Sequence, residues 1–413
     1  MTNTRLTICT VLILGAGACT SGSGDDEGSL PEGCDLFVEP SDDDQTALAE
    51  AFVDAEDGNT ICLAAGTFKP TRQLTLTAND VTLRGEGIDD TTLDFTGQQT
   101  GGNGIIVKGN GTTLEAFQVK NTPGDGIRGD QLENITFDHV RVAWDAMHSL
   151  ENGAYGLYPV QCSGVRIVAS EVIGARDAGI YVGQSHDIIV EDSIAHDNVA
   201  GIEIENSTDA QVRRNEAYDN VGGILVFNLP GLDVKDGQRT NVYENDIHDN
   251  NVGPNWGDPG TTVGKVPPGM GMLVLAADNN EIHNNKFTNN NSVGVAIIAY
   301  SEPLVNNGIF EAPNDPAYDT WSEGNYVHDN TFTNNGTAPD PLVQLLIGNM
   351  PTSFDVIFDG CEDPAKDNAD GALSNCLGEP AATFVDADVC ATASMPSTDT
   401  AAVACMHTAL PTD

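Results

Sequence analysis

This chain has very few cations. Seventeen lysines and arginines stand against 62 acidic residues, a formal net charge of -45 over 413 residues. A surface of that sign excludes nucleic acid as a partner. It also repels a polyuronate, unless divalent cations bridge the two or salt screens them. Long apolar runs are equally scarce. The stretch from Leu6 to Leu14 follows Arg5 and ends in Gly15-Ala16-Gly17-Ala18. It is too short to span a bilayer as a helix and reads as an export signal. Also absent are a Leu-x-x-Leu-x-Leu consensus and a repeat of propeller-blade length, which removes leucine-rich repeats and propellers.

What is present is a repeat. The phrases DAGIYVGQS, VAGIEIENS and VGGILVFNL place Ile180, Ile202 and Ile224 at intervals of 22 residues. Each unit divides into three short runs rich in Ile and Val, too short for helices and separated by small turns. One such unit cannot bury its own apolar face, whereas a stack can. The pattern predicts a single right-handed parallel β-helix, all-β, with three parallel sheets and turns of about 22 residues.

Gln161, Gln184, Asn206 and Asn228, each four residues beyond the repeating apolar position, are expected to stack their amides along the axis. The second phrase, SIAHDN, EAYDN, DIHDNN and KFTNN, ends in residues that tolerate turn geometry. His196, His248, His283 and His328 recur at those turns and are read as scaffold.

The expected organisation is an export signal over residues 1–18, a tether over 19–33, a cap helix and first strand over 34–70, the β-helix over 71–335 and a cysteine-rich C-terminal cap over 336–413. In the cap, Ser41 is the expected N-cap, with Leu48, Ala51, Phe52 and Ala55 on one face. Export permits disulfides. With Cys9 removed in the signal, Cys34 and Cys62 flank the first cap, while Cys361, Cys376, Cys390 and Cys405 crowd the last, so three bridges staple the ends. Cys162 is left as a buried thiol.

Ala16-Gly17-Ala18-Cys19 resembles the bacterial lipobox. That resemblance implies cleavage before Cys19, lipid attachment to its sulfur and a place in the cell envelope. The cap helix, first strand and repeats resemble the pectate-lyase-like superfamily of right-handed parallel β-helix proteins. Within it, NGAYGLYPVQC, DAGIYVGQS, AGIEIENS and GGILVF are similar to a family of secreted bacterial parallel β-helix proteins. The superfamily implies action on acidic polysaccharides, as lyase, hydrolase or epimerase, or adhesin and accessory roles. The Asp-Pro-His-Asp of mannuronan epimerases, the Arg-x-Pro-x-x-Arg of pectate lyases and the Gly-His-Gly of polygalacturonases do not occur here.

Four insertions, Trp144-Gly153, Asn251-Gly269, Leu229-Thr240 and Ser301-Asn325, fall on both sides of the strand that carries Gly-Ile-x-Val. They are expected to wall a groove floored by that sheet. Alternation places Arg128, Tyr158, Tyr181, Glu203, Glu205, Leu225, Phe227 and Leu273 outward on the floor. Trp144, Trp256 and Trp321 in the walls, with Phe227, are the expected sugar-stacking residues. Proton transfer α to a carboxylate needs a base, an acid and a cation. Tyr158, Tyr181 and His148 are candidates for the first two. Arg128 is one candidate for the third, and the other is a calcium ion on Asp177, Glu203 and Glu205. The expected partner is an extracellular polysaccharide bound by a monomer; the alternative is a non-catalytic scaffold that docks another exported protein.

Overall fold

The computed structural model describes residues 30–350, 353–379, 381–391 and 395–412. The signal segment, Cys9 and Cys19 lie outside them. Short parallel strands stack into a solenoid with three faces. One face is an eleven-stranded sheet running from Arg72–Leu76 to Phe384–Asp386. The other two hydrogen-bond into one set of twenty strands, because Glu133–Ala143 turns the corner unbroken. Its first half pairs with Ser163–Val168 and its second with Glu171–Ile173.

The 22-residue period becomes a vertical column. Ile127, Leu157, Ile180, Ile202, Ile224, Met272, Val295 and Val356 pair rung to rung, and all are fully buried. Each such side chain contributes roughly 1.5–3 kcal/mol by leaving water. Ile224 and Met272 are adjacent rungs although 48 residues separate them. The extra chain is extruded at the corners and the core keeps its register.

The amide ladders are not where the sequence reading puts them. Asn198, Asn220, Asn250, Asn290 and Asn335 form one, each side-chain amide donating to the next carbonyl at 3.0–3.1 Å. Asn215, Asn245, Asn285 and Asn330 form a second. The residue before each member of the first ladder, such as Asp197, Asp219 or Asp249, takes positive φ. That sharp corner turns the following asparagine inward. Gln161, Gln184, Asn206 and Asn228 instead hold the 229–240 insertion, through Asp233, Leu229, Val234 and Gly237. Among the described residues of this column, only Gln131 and Gln161 bond each other.

The cap helix spans Asp44–Asp54 and buries Leu48, Ala51 and Phe52 against the first rungs. Its N-cap is Asp43, not Ser41, because Asp43 accepts from the Thr46 N–H while the Ser41 N–H donates to Asp44. The bridges are Cys34–Cys62, Cys361–Cys390 and Cys376–Cys405. Cys162 is buried, its thiol facing the Val160 and Gly129 carbonyls, and burial pushes the thiol pKa up. The strand stack continues past Asn335 through Val356–Phe358, Cys376–Gly378 and Phe384–Asp386. Among the described residues no helix is long and apolar enough to cross a membrane. The histidines are scaffold: His196, Tyr218 and His248 stack in one column, and Tyr243, His283 and His328 in another.

Asn220 is fully buried and bonded to Asn198, Asn250 and the Ala195 carbonyl. Asn220→Ala leaves several buried partners unmatched, for a loss of about 3 kcal/mol. Denaturant unfolding should show a clearly lowered midpoint, and an unchanged midpoint would remove the ladder from the account of stability.

Candidate functional site

The outward face of the eleven-stranded sheet is divided in two. From the rung Ala178–Gly183 onward it is roofed, which corrects the expectation of one open groove. Tyr181 is 4 % exposed, Glu203 and Leu225 0 % and Phe227 1 %. The insertions fold down and form a second apolar cluster on this face, with Val263, Val266, Tyr300 and Tyr318 over Leu225, Phe227 and Leu273. The Tyr318 hydroxyl closes the roof by donating to the Asn228 carbonyl at 2.6 Å. Earlier rungs stay uncovered, and their outward Thr75, Ile106 and Arg128 are only half-buried.

At the boundary stands a cluster of tyrosines. The rings of Tyr155, Tyr158 and Tyr181 lie with centroids 4.5–4.9 Å apart. Arg128, directly opposite Tyr158 on the preceding rung, places its guanidinium 5.0 Å from that ring centre. A cation over a tyrosine face is attracted by the ring quadrupole. Asp125 enters the same rung as Arg128, beneath Tyr155, whose carbonyl accepts from the Gly126 N–H. Burial lifts the Asp125 carboxyl to about 6, against the pull of Arg128. Burial pushes the Tyr158 phenol up to about 12, opposed by Arg128 and supported by Asp125.

Behind the tyrosines, under the roof, three carboxyls are sealed together. The Tyr181 hydroxyl donates to Glu205 Oε1 at 2.7 Å. Both Glu203 oxygens and Asp177 Oδ1 are buried without a hydrogen-bond partner. Burial raises Glu205 to about 7; burial and then the Glu205 charge raise Asp177 to about 7. Burial, reinforced by both neighbours, drives Glu203 far above the usual carboxylate range. An ion buried without a partner is costly, so the proton stays on.

The model of the right-handed β-helix region matches residues 82–229 and 226–362. The chain belongs to the right-handed β-helix family. The mannuronan C-5 epimerase AlgE6 A-module of Azotobacter vinelandii is similar in structure at 17 % identity, with TM-score 0.51, over 82 % of this chain and 90 % of that one. ORF18 of Geobacillus virus E2 is 14 % identical with TM-score 0.45, over 74 % and 59 %. An alginate lyase from Paenibacillus is 17 % identical with TM-score 0.39, over 64 % and 97 %. At 17 % identity the likeness to the epimerase module is one of fold. No curated protein matches the chain in sequence.

Within this β-helix the other candidate residues do not converge on the tyrosines. Trp144 is core, 4 % exposed, its indole N–H donating to the Thr122 carbonyl at 2.7 Å. Phe227 lies beneath the roof and cannot stack on a sugar. Trp256 is half-buried against His148, ring centroids 5.5 Å apart. His148 pairs with Asp197 at 3.3 Å rather than with a tyrosine. Trp321 is half-buried, and its ring touches no tyrosine ring among the described residues. Tyr181 is committed to Glu205 and is walled off. Asp177, Glu203 and Glu205 are hard-oxygen donors of the right kind for calcium. Among the described residues, however, the only group of three closing within 4.8 Å is Cys376, Cys405 and His407, where the two cysteines are already bonded to each other.

Asp125 and Tyr155 escaped the sequence reading. Their signal was a break in the repeat, since two places before the apolar column the regular rungs carry small Ala178, Ala200 and Gly222.

The carboxyls generate a pH test. Glu205 binds its proton more tightly folded, near pH 7, than unfolded, near 4.5. The neutral cluster's stability is therefore fully present below about pH 4.5 and lost as pH rises through about 7. The melting temperature should fall over that window, and Glu203→Gln, neutral and isosteric, should flatten the fall. A variant profile parallel to the parent's would contradict the buried neutral cluster.

Proposed function

We propose that this protein recognises an extracytoplasmic acidic polysaccharide on the uncovered part of the sheet face, with Tyr158, Arg128 and Asp125 as the working end. The observation that carries this reading is the Arg128–Tyr158 stack beside Asp125, where the open face meets the roof. A flat tyrosine suits the C–H face of a sugar, and a guanidinium suits its carboxylate. Epimerisation or β-elimination of a uronate needs a base at the acidic C–H, an acid and a cation. Asp125 is ionised at neutral pH and takes the first role, Tyr158 keeps its proton and takes the second, and Arg128 supplies the third. The shared fold with an epimerase module is compatible with this chemistry without assigning it.

Calcium enters as a bridge between an acidic glycan and the acidic surface, since the described carboxyls do not close on one ion. The sequence of residues 1–19 supports export and attachment of the monomer to the cell envelope by a lipid on Cys19.

The test is an array of uronate-containing polysaccharides, probed with calcium and with chelator, followed by a search for unsaturated or epimerised products. Capture of acidic glycans is expected, weakened strongly by Arg128→Ala. Tyr158→Phe and Asp125→Asn should lower turnover by about 10²–10⁴-fold while the glycan still binds. No capture in either buffer would overturn the reading in favour of a scaffold that docks another exported protein.

A further inference from the structure

Farther along the same face, the roofed half contains a cavity of about 330 Å³. Phe227, Leu273 and Ile298 form its floor, and Phe310 and Leu346 stand among its walls. Three segments that leave the solenoid build it: the 251–269 and 301–325 insertions and the helix Pro341–Leu346. Such a volume falls within the roughly 300–1,000 Å³ of small-molecule sites. Leu345 lines it and is 57 % exposed, giving the entrance an apolar lip.

Among the described residues, Lys265 is the one charged residue in the lining. Most basic residues described in this chain are held in ion pairs with its many carboxylates, as Arg141, Arg213, Arg214, Arg239 and Lys366 are. Lys265 makes no ion pair among the described residues. A cation beside an aliphatic chamber specifies a ligand with an apolar body and a single negative charge. A second negative charge finds no second lysine or arginine among the described lining residues, and the protein's own -45 opposes it.

We propose that this cavity binds a single-chain alkyl carboxylate, with the chain in the chamber and the carboxylate on Lys265. This site is separate from the Tyr158 mouth and does not rest on the glycan reading.

The test uses the full chain carrying Cys19→Ser, so that no attached acyl group competes, titrated with a fluorescent long-chain polyene carboxylate. Saturable one-to-one binding is expected, displaced by palmitate and poorly by octanoate. Lys265→Glu should weaken palmitate at least tenfold and leave hexadecanol unchanged. Ala296→Phe, which fills the floor, should abolish both. If circular dichroism shows that Ala296→Phe is misfolded, the Lys265→Glu comparison decides alone. Absence of saturable binding, or equal palmitate affinity in Lys265→Glu, would overturn the proposal.

Discussion

Every rung of this solenoid is completed by the rungs above and below it. The backbone groups of a strand such as Ala200–Glu205 find their partners on the rungs to either side, in Ala178–Gly183 and Gly222–Phe227 and the residues that flank them, so the stack must remain in register throughout. At the corners, where strand bonding lapses, buried asparagines carry the same vertical hydrogen bonding. The constraint is strict at the core and absent at the outer corners. Chain can therefore be added there in any amount that leaves Ile224 next to Met272.

That freedom produces the working surface. The insertions bury their own apolar side chains on the sheet, because a long loop in water cannot otherwise repay its ordering entropy. They cover the later rungs and leave the earlier ones open. The tyrosines stand where cover stops, half-buried on the open side at Tyr158 and sealed against Glu205 at Tyr181. One sheet face thus holds a polar mouth, a sealed carboxyl cluster and an apolar cavity in succession.

The fold was legible because its signal is repeated: the column of Ile180, Ile202 and Ile224 needs only a period and an alternation to be read. Arg128 and Tyr158 were legible for the same reason, since alternation places both outward on adjacent rungs. Alternation cannot report whether an outward residue meets water, and for Glu203, Leu225 and Phe227 it does not. The cover comes from the 251–269 and 301–325 segments, distant in sequence and without a period. Trp144 was misjudged on similar grounds: a tryptophan at the edge of an insertion serves equally as platform or as core, and the Thr122 carbonyl decided for core. The amide ladders stand at other corners of the same rungs because Gln161 and Asn198 carry the same chemistry, and only the corner geometry separates loop anchor from ladder.

The central claim is that the sheet face changes from open to roofed between Tyr158 and Tyr181. Hydroxyl-radical footprinting of the free protein addresses it residue by residue. The account predicts oxidation of Tyr158 well ahead of Tyr181, Phe227 and Tyr318. Comparable oxidation of Tyr158, Tyr181 and Phe227 would mean that the groove is continuous and the roof does not exist in solution.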